Sequence, residues 1–260
     1  MPFTLFFDLH IGMAAAALGF ARLAPVFFML PFLNTGVLTG APRIAVIMLV
    51  ALALWPATGQ TLPALDTFAF YGLVLREASI GVVLGCLLCW PFWVLHGMGN
   101  LIDNQRGAML SNTVDPANGV DTSELANFLQ LFAAAVFLEG GGLLLLVETY
   151  NTSYRLCSPV EGCELALKPI LAMLDPLVSK IIIISSPVVA TLLLSEALLG
   201  LLARFAPQMN AFAVSLTIKS AIALIVLLLF FGTHLPDEIL RMGHTAEFQL
   251  SHWLIKGGEA

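Results

Sequence analysis

The feature that most constrains this chain is the length of its apolar runs. Several of them approach or exceed the roughly 20 residues that a helix needs to cross a bilayer. Of the 260 residues, 59% are hydrophobic and 11% are charged, whereas a soluble domain is about 45–50% apolar and about 25% charged. These properties predict an all-α, polytopic membrane-type protein.

The apolar runs predict six helices. They cover roughly His10–Leu33, Ile44–Leu54, Phe68–Leu101, Leu125–Val147, Leu177–Leu202 and Ala211–Phe231. Pro25, Pro31, Pro91 and Pro187 lie within three of these runs. A proline inside a helix removes a backbone hydrogen bond, so we expect kinked helical hairpins. The weakly amphipathic tail after Pro236 is expected to form a surface or docking helix.

Several charged residues lie within or at the ends of the apolar runs: Arg22, Arg76, Glu77, Glu139, Lys180, Glu196 and Lys219. A charge at the bilayer centre costs about 2.5–3.5 kcal/mol on insertion scales, so we expect these side chains to meet partners, water or an interface. Two glycine patterns also stand out. Gly81 and Gly85 have the spacing that lets another helix approach closely, and Gly140–Gly142 predicts a bend or a close backbone contact.

The loop charges specify the orientation of the helices only in part. No Lys or Arg precedes Arg22, which favours an outside N-terminus because cytoplasmic loops are enriched in cations. If successive helices cross the membrane in alternating directions, half of the loops carry their cations on the cytoplasmic side, as expected. This expectation fails at the loop with Arg155 and Lys168 and at the tail with Arg241 and Lys256. Either the topology is weakly specified, or these helices do not sit as ordinary bilayer spans.

Charge and motif patterns argue against several classes of function, among them enzymes, although an intramembrane enzyme with scattered motifs is not excluded. The net charge is −6 and the eleven Lys and Arg residues are scattered, which argues against a nucleic-acid partner. The five histidines lack metal-ligand spacing, and no nucleophile, Walker or Rossmann motif occurs. We therefore predict no catalytic residue, metal site or cofactor site. Two readings remain: a secondary transporter or channel for a small solute, and a subunit of a larger translocation complex.

The four cysteines form two pairs with different surroundings. Cys86 and Cys89 lie in an apolar run, where buried, inert thiols are the expected state. Cys157 and Cys163 bracket a polar loop. That loop can carry a disulfide if it faces an oxidising compartment. Two reduced loop cysteines are the alternative.

The segment Asp103–Glu124 is a polar, turn-rich island between two long apolar runs. Loops longer than about 12–15 residues without structure of their own are usually functional or disordered. Irregular backbone at membrane depth is tolerated where it is buried in protein or lines a watery cavity. We therefore expect a gate, plug or substrate contact, with a surface turn as the alternative. Thr122 or Ser123 is expected to cap the helix that follows.

Four stretches resemble a known family: ALGFARLAPVFFMLPFLN (17–34), GNLIDNQRGAMLSNTVDPANGVDTSELANF (99–128), LCSPVEGC (156–163) and LLSEALLGLLARFAPQMNAFAVSLTIKS (193–220). The chain resembles the export-apparatus component T of type III secretion systems, the SpaR/SctT family, which is similar to flagellar FliR. The resemblance spans essentially the whole chain. It is strongest to the injectisome branch that serves invasion-type systems.

The resemblance implies a non-enzymatic subunit of the export gate without a cofactor. In the family, one T subunit joins about five copies of the R component and about four copies of the S component. They form the entry portal for unfolded effector and needle proteins, with the U component at the cytoplasmic entrance. The implied location is the bacterial inner membrane, within the secretion-system base, with a periplasmic N-terminus. Residues 1–175 would be an R-like part, and residues 176–260 an S-like helical hairpin with a tail.

The resemblance also implies roles for individual residues. Gly107–Thr122 would be a plug projecting into the closed channel, and its predicted site residues are Arg106, Gly107, Asp115, Pro116, Gly119 and Asp121. The hairpin tip would face the U component, and its predicted contact residues are Arg204, Gln208, Asn210 and Lys219. The loop with Cys157 and Cys163 would be periplasmic, which favours the disulfide.

Overall fold

In the part of the chain that the structure describes, the fold is helical apart from one short pair of strands. The computed structural model describes residues 2–33, 40–56, 68–108, 123–159, 163–165, 174–205, 211–232, 234–243 and 254–256. The helices are α1 (Pro2–Met29), α2 (Ala41–Leu54), α3 (Phe68–Arg106), α4 (Glu124–Glu139), α5 (Gly142–Leu156), α6 (Leu174–Phe205), α7 (Ala211–Phe231) and α8 (235–243). Strands β1 (Cys163–Leu165) and β2 (Leu254–Lys256) pair antiparallel. The predicted all-α, membrane-type class is confirmed, apart from this strand pair.

Four helices in the described part of the chain are long and apolar enough to cross a membrane: α1, α3, α6 and α7. The number rises to five if α4 and α5 together form one broken span. The predicted second run is a helix, but α2 has 14 residues and is about 21 Å long at 1.5 Å per residue. It is therefore too short to cross the roughly 30 Å apolar core of a bilayer.

Three of the four prolines lie inside helices, whereas a glycine divides one predicted run into two helices. Pro25, Pro91 and Pro187 lie inside α1, α3 and α6. By contrast, α1 ends shortly before Pro31, because the residue preceding a proline is disfavoured in helical geometry. Gly141 separates α4 from α5 with φ 84°, and nothing lies within 4 Å of the position a Cβ would take there. Of the two predicted roles for this glycine run, the structure has a bend at Gly141.

The C-terminal tail is only partly helical. Residues 235–243 form α8, but Leu254–Lys256 form β2 and pair with β1, with Lys256 opposite Cys163. The expectation of a helix is therefore wrong at the end of the tail. The physical reason is that β2 finds its hydrogen-bonding partner far away in the chain, and the local apolar pattern carries no signal of that partner.

Packing divides the chain into two compact units. The first unit comprises Met1–Trp90, Leu138–Met173 and Met242–Ala260, and the second comprises Pro91–Phe137 and Leu174–Arg241. The predicted division into 1–175 and 176–260 concerns likeness to two other components, and it stays a prediction. The packing units interleave along the chain instead of following one another.

A buried ion pair between α1 and α3 lies at the centre of the first unit. Arg22 and Glu77 are both 0% exposed, and Arg22 Nε donates to Glu77 Oε2 at 2.5 Å. Arg22 Nη1 donates to Ser153 Oγ at 3.2 Å, and Nη2 donates to the Cys157 carbonyl at 2.9 Å. The guanidinium also lies 4.1 Å from the centroid of the Tyr154 ring. One side chain thus joins α1 to α3 and to the end of α5.

Two glycines allow α1 and α3 to come into direct contact. A Cβ at Gly81 would overlap the carbonyl oxygen of Arg22, and a Cβ at Gly85 would lie 2.6 Å from Sδ of Met29. The close helix approach predicted from this glycine spacing is confirmed. Gly81 is four residues after Glu77 and shares its face of α3. The backbone of Arg22 therefore rests on the same face that its side chain reaches.

The second unit contains the helices α6 and α7, which pack against each other. Lys180 on α6 pairs with Glu238 on α8, and Lys219 Nζ lies 3.1 Å from Glu196 Oε2. Many large apolar side chains of the two helices are nevertheless exposed: Leu193, Leu194, Leu198, Leu201, Leu202, Phe205, Leu224, Ile225, Leu228 and Leu229. An exposed apolar surface of this extent requires lipid or protein neighbours.

The buried pair gives a first prediction. Arg22→Ala leaves the Glu77 carboxylate in the interior without its main partner, and breaking a buried pair in this way costs about 3–5 kcal/mol. The double variant Arg22→Leu with Glu77→Leu removes both charges, so we expect it to be more stable than Arg22→Ala. Thermal unfolding in detergent, followed by circular dichroism, measures the order. A double variant no more stable than the single one would contradict the role of the pair.

The glycine contact gives a second prediction, with a matched control in the same helix. Gly81→Val places a side chain where the backbone of Arg22 lies, whereas Gly72 has nothing within 4 Å of its Cβ position. Both changes alter the intrinsic preference of α3 in the same way. We expect Gly81→Val to destabilise the protein by about 1–3 kcal/mol more than Gly72→Val. Equal melting temperatures for the two variants would refute the contact.

Candidate functional site at the junction of two helices

The described part of the polar island consists of its two ends, at the last turn of α3 and the first turn of α4. Helix α3 ends at Arg106, and Gly107 follows with φ 79°. The N–H of Gly107 donates to the carbonyl of Asn104 at 3.1 Å. A glycine in left-handed geometry commonly ends a helix in this way. The chain therefore leaves α3 at Gly107.

One buried carboxylate joins the two ends of the island. Asp103 is 2% exposed, and its Oδ1 accepts from Arg106 Nε at 2.7 Å. Its Oδ2 accepts from Ser123 Oγ at 2.6 Å and from the N–H of Leu125 at 3.3 Å. The negative charge also lies at the N-terminal end of α4, where the helix dipole favours it. Asp103 thus binds residues on both sides of the intervening loop.

Ser123 is the N-cap of α4. Its Oγ accepts from the N–H of Ala126 at 3.0 Å while its own hydroxyl donates to Asp103. Together, Ser123 and Asp103 satisfy two of the four N-terminal N–H groups of α4, those of Ala126 and Leu125. The predicted capping by Ser123 is confirmed. Thr122, the other predicted cap, lies outside the described residues.

A close backbone contact lies one helical turn before the carboxylate. A Cβ at Gly99 would overlap the backbone of Ala126 and would lie 2.9 Å from the carbonyl carbon of Leu125. Gly99 and Asp103 are four residues apart and share a face of α3. The first turn of α4 therefore rests on this face at two levels, on a glycine and on a carboxylate.

The predicted plug residues fall partly on this junction. Arg106 is 19% exposed and pairs with Asp103, and Gly107 ends α3, so both belong to the base of the loop. The other predicted plug residues lie outside the described residues: Asp115, Pro116, Gly119 and Asp121. Their role in a plug stays a prediction. Asp103 itself was missed, because a single carboxylate near a helix end does not reveal a partner 20 residues later.

Two of the four predicted partner-contact residues are described, Arg204 on α6 and Lys219 on α7. Arg204 is exposed in the last turn of α6. Lys219 is 12% exposed and pairs with Glu196, so it would have to leave this carboxylate to contact a partner. Gln208 and Asn210 lie outside the described residues. The partner role of all four residues stays a prediction.

The cysteines differ in state. Cys157 is disulfide-bonded and buried, whereas Cys86 and Cys89 are free. Cys163 begins β1, but its side chain lies outside the described residues. The pairing of Cys157 with Cys163 therefore stays a prediction, with Cys163 as the remaining cysteine of the sequence.

Two arginines bind the carbonyl groups where α5 ends. Arg22 binds the carbonyl of Cys157, and Arg76 binds the carbonyl of Pro159. Cations at the C-terminal end of a helix are favoured by its dipole. Arg76 Nη2 also lies 3.5 Å from Glu77 Oε1. Within the described ranges, no group of three or more His, Cys, Asp or Glu side chains is placed to hold a metal ion.

A family model and several known proteins match this chain, and all of them are described as export, translocation, surface presentation or flagellar biosynthetic proteins. A family model described as bacterial export proteins, family 1, matches residues 13–239. The surface presentation of antigens protein SpaR of Salmonella typhimurium is 55% identical over 258 residues, covering 99% of this chain and 98% of the relative. The Yop proteins translocation protein T of Yersinia pestis is 30% identical over 215 residues, covering 80% and 82%. The flagellar biosynthetic protein FliR of Bacillus subtilis is 27% identical over 220 residues, covering 82% and 85%.

The cysteine pattern gives a third prediction. If Cys157 pairs with Cys163, alkylation of the denatured protein without reductant labels only Cys86 and Cys89. After reduction, it labels all four cysteines of the chain. Cys163→Ser should add one label without reductant, because Cys157 loses its partner, while Cys86→Ser should remove one. Intact mass spectrometry counts the labels. Four labels on the unreduced protein would contradict the pairing.

Proposed function

Since the chain belongs to family 1 of the bacterial export proteins, we propose that it is a non-enzymatic core subunit of a type III secretion export gate. With the R and S components it forms the entry portal for unfolded effector and needle proteins. About five copies of R and about four copies of S assemble around one copy of this chain, and the U component contacts the cytoplasmic entrance. The assembly lies at the bacterial inner membrane, and the N-terminus of this chain is periplasmic.

Similarity over nearly the full length is the observation that carries this proposal. The relative that is 55% identical covers 99% of the chain and is a surface presentation of antigens protein. A more distant relative, covering 80% of the chain, is a translocation protein for Yop proteins. Because no large part of the chain lies outside these matches, a shared role in protein export is the simplest reading.

The exposed apolar surface supports a role as a subunit. The apolar span of α3 is 67% buried within the chain, whereas that of α6 is 22% buried and that of α7 is 11% buried. The surface of these two helices must therefore be covered by lipid or by other chains. Neighbouring R and S helices would provide such a cover in an assembled portal. A carrier that works alone would leave the surface to lipid only.

The loop between α3 and α4 is the proposed plug. Gly107–Thr122 would fill the closed channel, with Asp115, Pro116, Gly119 and Asp121 as its characteristic residues. Small and polar residues suit this role, because they pack in a narrow passage and also tolerate water when the passage opens. The tip of the α6 and α7 hairpin is the proposed contact with the U component. Exposed Arg204 is its best-placed described residue.

The plug role gives a fourth prediction. Deleting residues 112–120 should let ions pass through the assembled complex, because the channel loses the segment that fills it. The measurement is the leak of potassium from cells that carry the whole export apparatus and have not received a stimulus that starts secretion. Replacing the same nine residues by a Gly/Ser segment of equal length separates the effect of length from that of residue type.

Co-extraction with the R and S components in detergent is the control for assembly. An assembled deletion variant that leaks no more potassium than the parent and secretes normally would contradict the plug role. Substrate-dependent uptake of a small solute by the purified chain in liposomes would favour the transporter reading instead.

A further inference from the structure

We propose that Asp103 is a positioning residue that keeps the end of α3 and the start of α4 together, so that the loop between them always begins and ends at one fixed place. This inference rests on the proposed plug function. It goes beyond that function because it concerns the residues at the two ends of the loop, whereas the proposed plug is the segment between those ends.

The bonding of the carboxylate carries the first step. Both oxygens of Asp103 accept hydrogen bonds, one from Arg106 on α3 and the other from Ser123 and Leu125 at the start of α4. The side chain is 2% exposed, so water does not readily replace these partners. Hydrogen bonds to a charged group are the stronger class. Separating α3 from α4 at this level would leave a buried carboxylate with a single partner.

The contact at Gly99 carries the second step. The backbone of Ala126 occupies the space where a side chain at Gly99 would lie. This contact and the Asp103 hydrogen bonds are one helical turn apart along α3. A joint held at two levels resists rotation of α4 about the joint as well as its separation from α3. The two ends of the loop, at Gly107 and Ser123, are therefore held at a fixed distance from each other by contacts between α3 and α4.

The three hydrogen bonds predict a graded series of variants. Asp103→Ala removes all three bonds, Ser123→Ala removes one of them together with the cap of α4, and Arg106→Gln removes the ion pair within α3. Only the first two changes loosen the link between the helices. We therefore expect the resting potassium leak to be largest for Asp103→Ala, smaller for Ser123→Ala and smallest for Arg106→Gln.

The experiment uses the complete export complex in cells and measures potassium leak, secretion and co-extraction with the R and S components. For Asp103→Ala we expect normal co-extraction and a leak at least about tenfold above the parent, because the variant loses both hydrogen bonds that join the helices and the loss of one charge-assisted bond already corresponds to about this ratio. Asn104→Ala is the matched control, because Asn104 is the next residue and its side chain is exposed. It should leak no more than the parent.

A covalent bridge tests positioning itself. In a background with Cys86→Ala and Cys89→Ala, the pair Asp103→Cys and Ser123→Cys should leak when the thiols are free. A short bifunctional thiol reagent that links the two positions should restore the seal and leave secretion intact. A linked complex that no longer secretes would overturn the proposal, because passage would then require the two helix ends to separate.

The outcomes separate this inference from the proposed function. If deletion of residues 112–120 leaks while Asp103→Ala and Ser123→Ala stay tight, the plug stands and the positioning role of Asp103 is wrong. If the deletion stays tight, the plug function itself fails. If Asp103→Ala does not assemble, the leak of Ser123→Ala in assembled complexes decides, and a tight Ser123→Ala variant counts against the proposal.

Discussion

The buried contact between Arg22 and Glu77 is the interaction on which the packing of the first unit depends. Neither charge can remain alone in an apolar interior without a large cost, so α1 and α3 must lie side by side where these residues meet. Gly81 removes the steric obstacle at the same level. The remaining donors of Arg22 bind Ser153 and the carbonyl of Cys157. Apolar helices pack against many partners almost equally well, and this polar network selects one arrangement.

The second unit uses the same principle at the other end of α3. Asp103 is also buried, with 2% of it exposed, and two of its three hydrogen-bond donors lie at the start of α4. In both places a carboxylate on a long apolar helix is matched by donors from another part of the chain, and a glycine four residues away lets the backbones touch. Charges that would be costly in an ordinary span therefore serve to define neighbours. This also explains why the chain tolerates so many of them.

Local patterns predicted much of the fold. The long apolar runs located α1, α3, α6 and α7 because helix-forming apolar stretches need no distant information. The Gly81 and Gly85 contact and the capping by Ser123 were also predictable, since each depends on residue type at short spacing. The role of Asp103 and the pairing of β1 with β2 were not predictable. Each depends on a partner that the fold brings close from far along the chain.

The sequence by itself determined the helical, membrane-type class and the resemblance to an export family, because composition and short motifs are properties of contiguous stretches. Only the tertiary structure decided that Arg22 is shared between Glu77 and the end of α5, and that α4 begins on the carboxylate of Asp103. In a chain this apolar, every helix offers a similar surface to its neighbours. The choice between them is made by a few buried polar groups, and their distances exist only after folding.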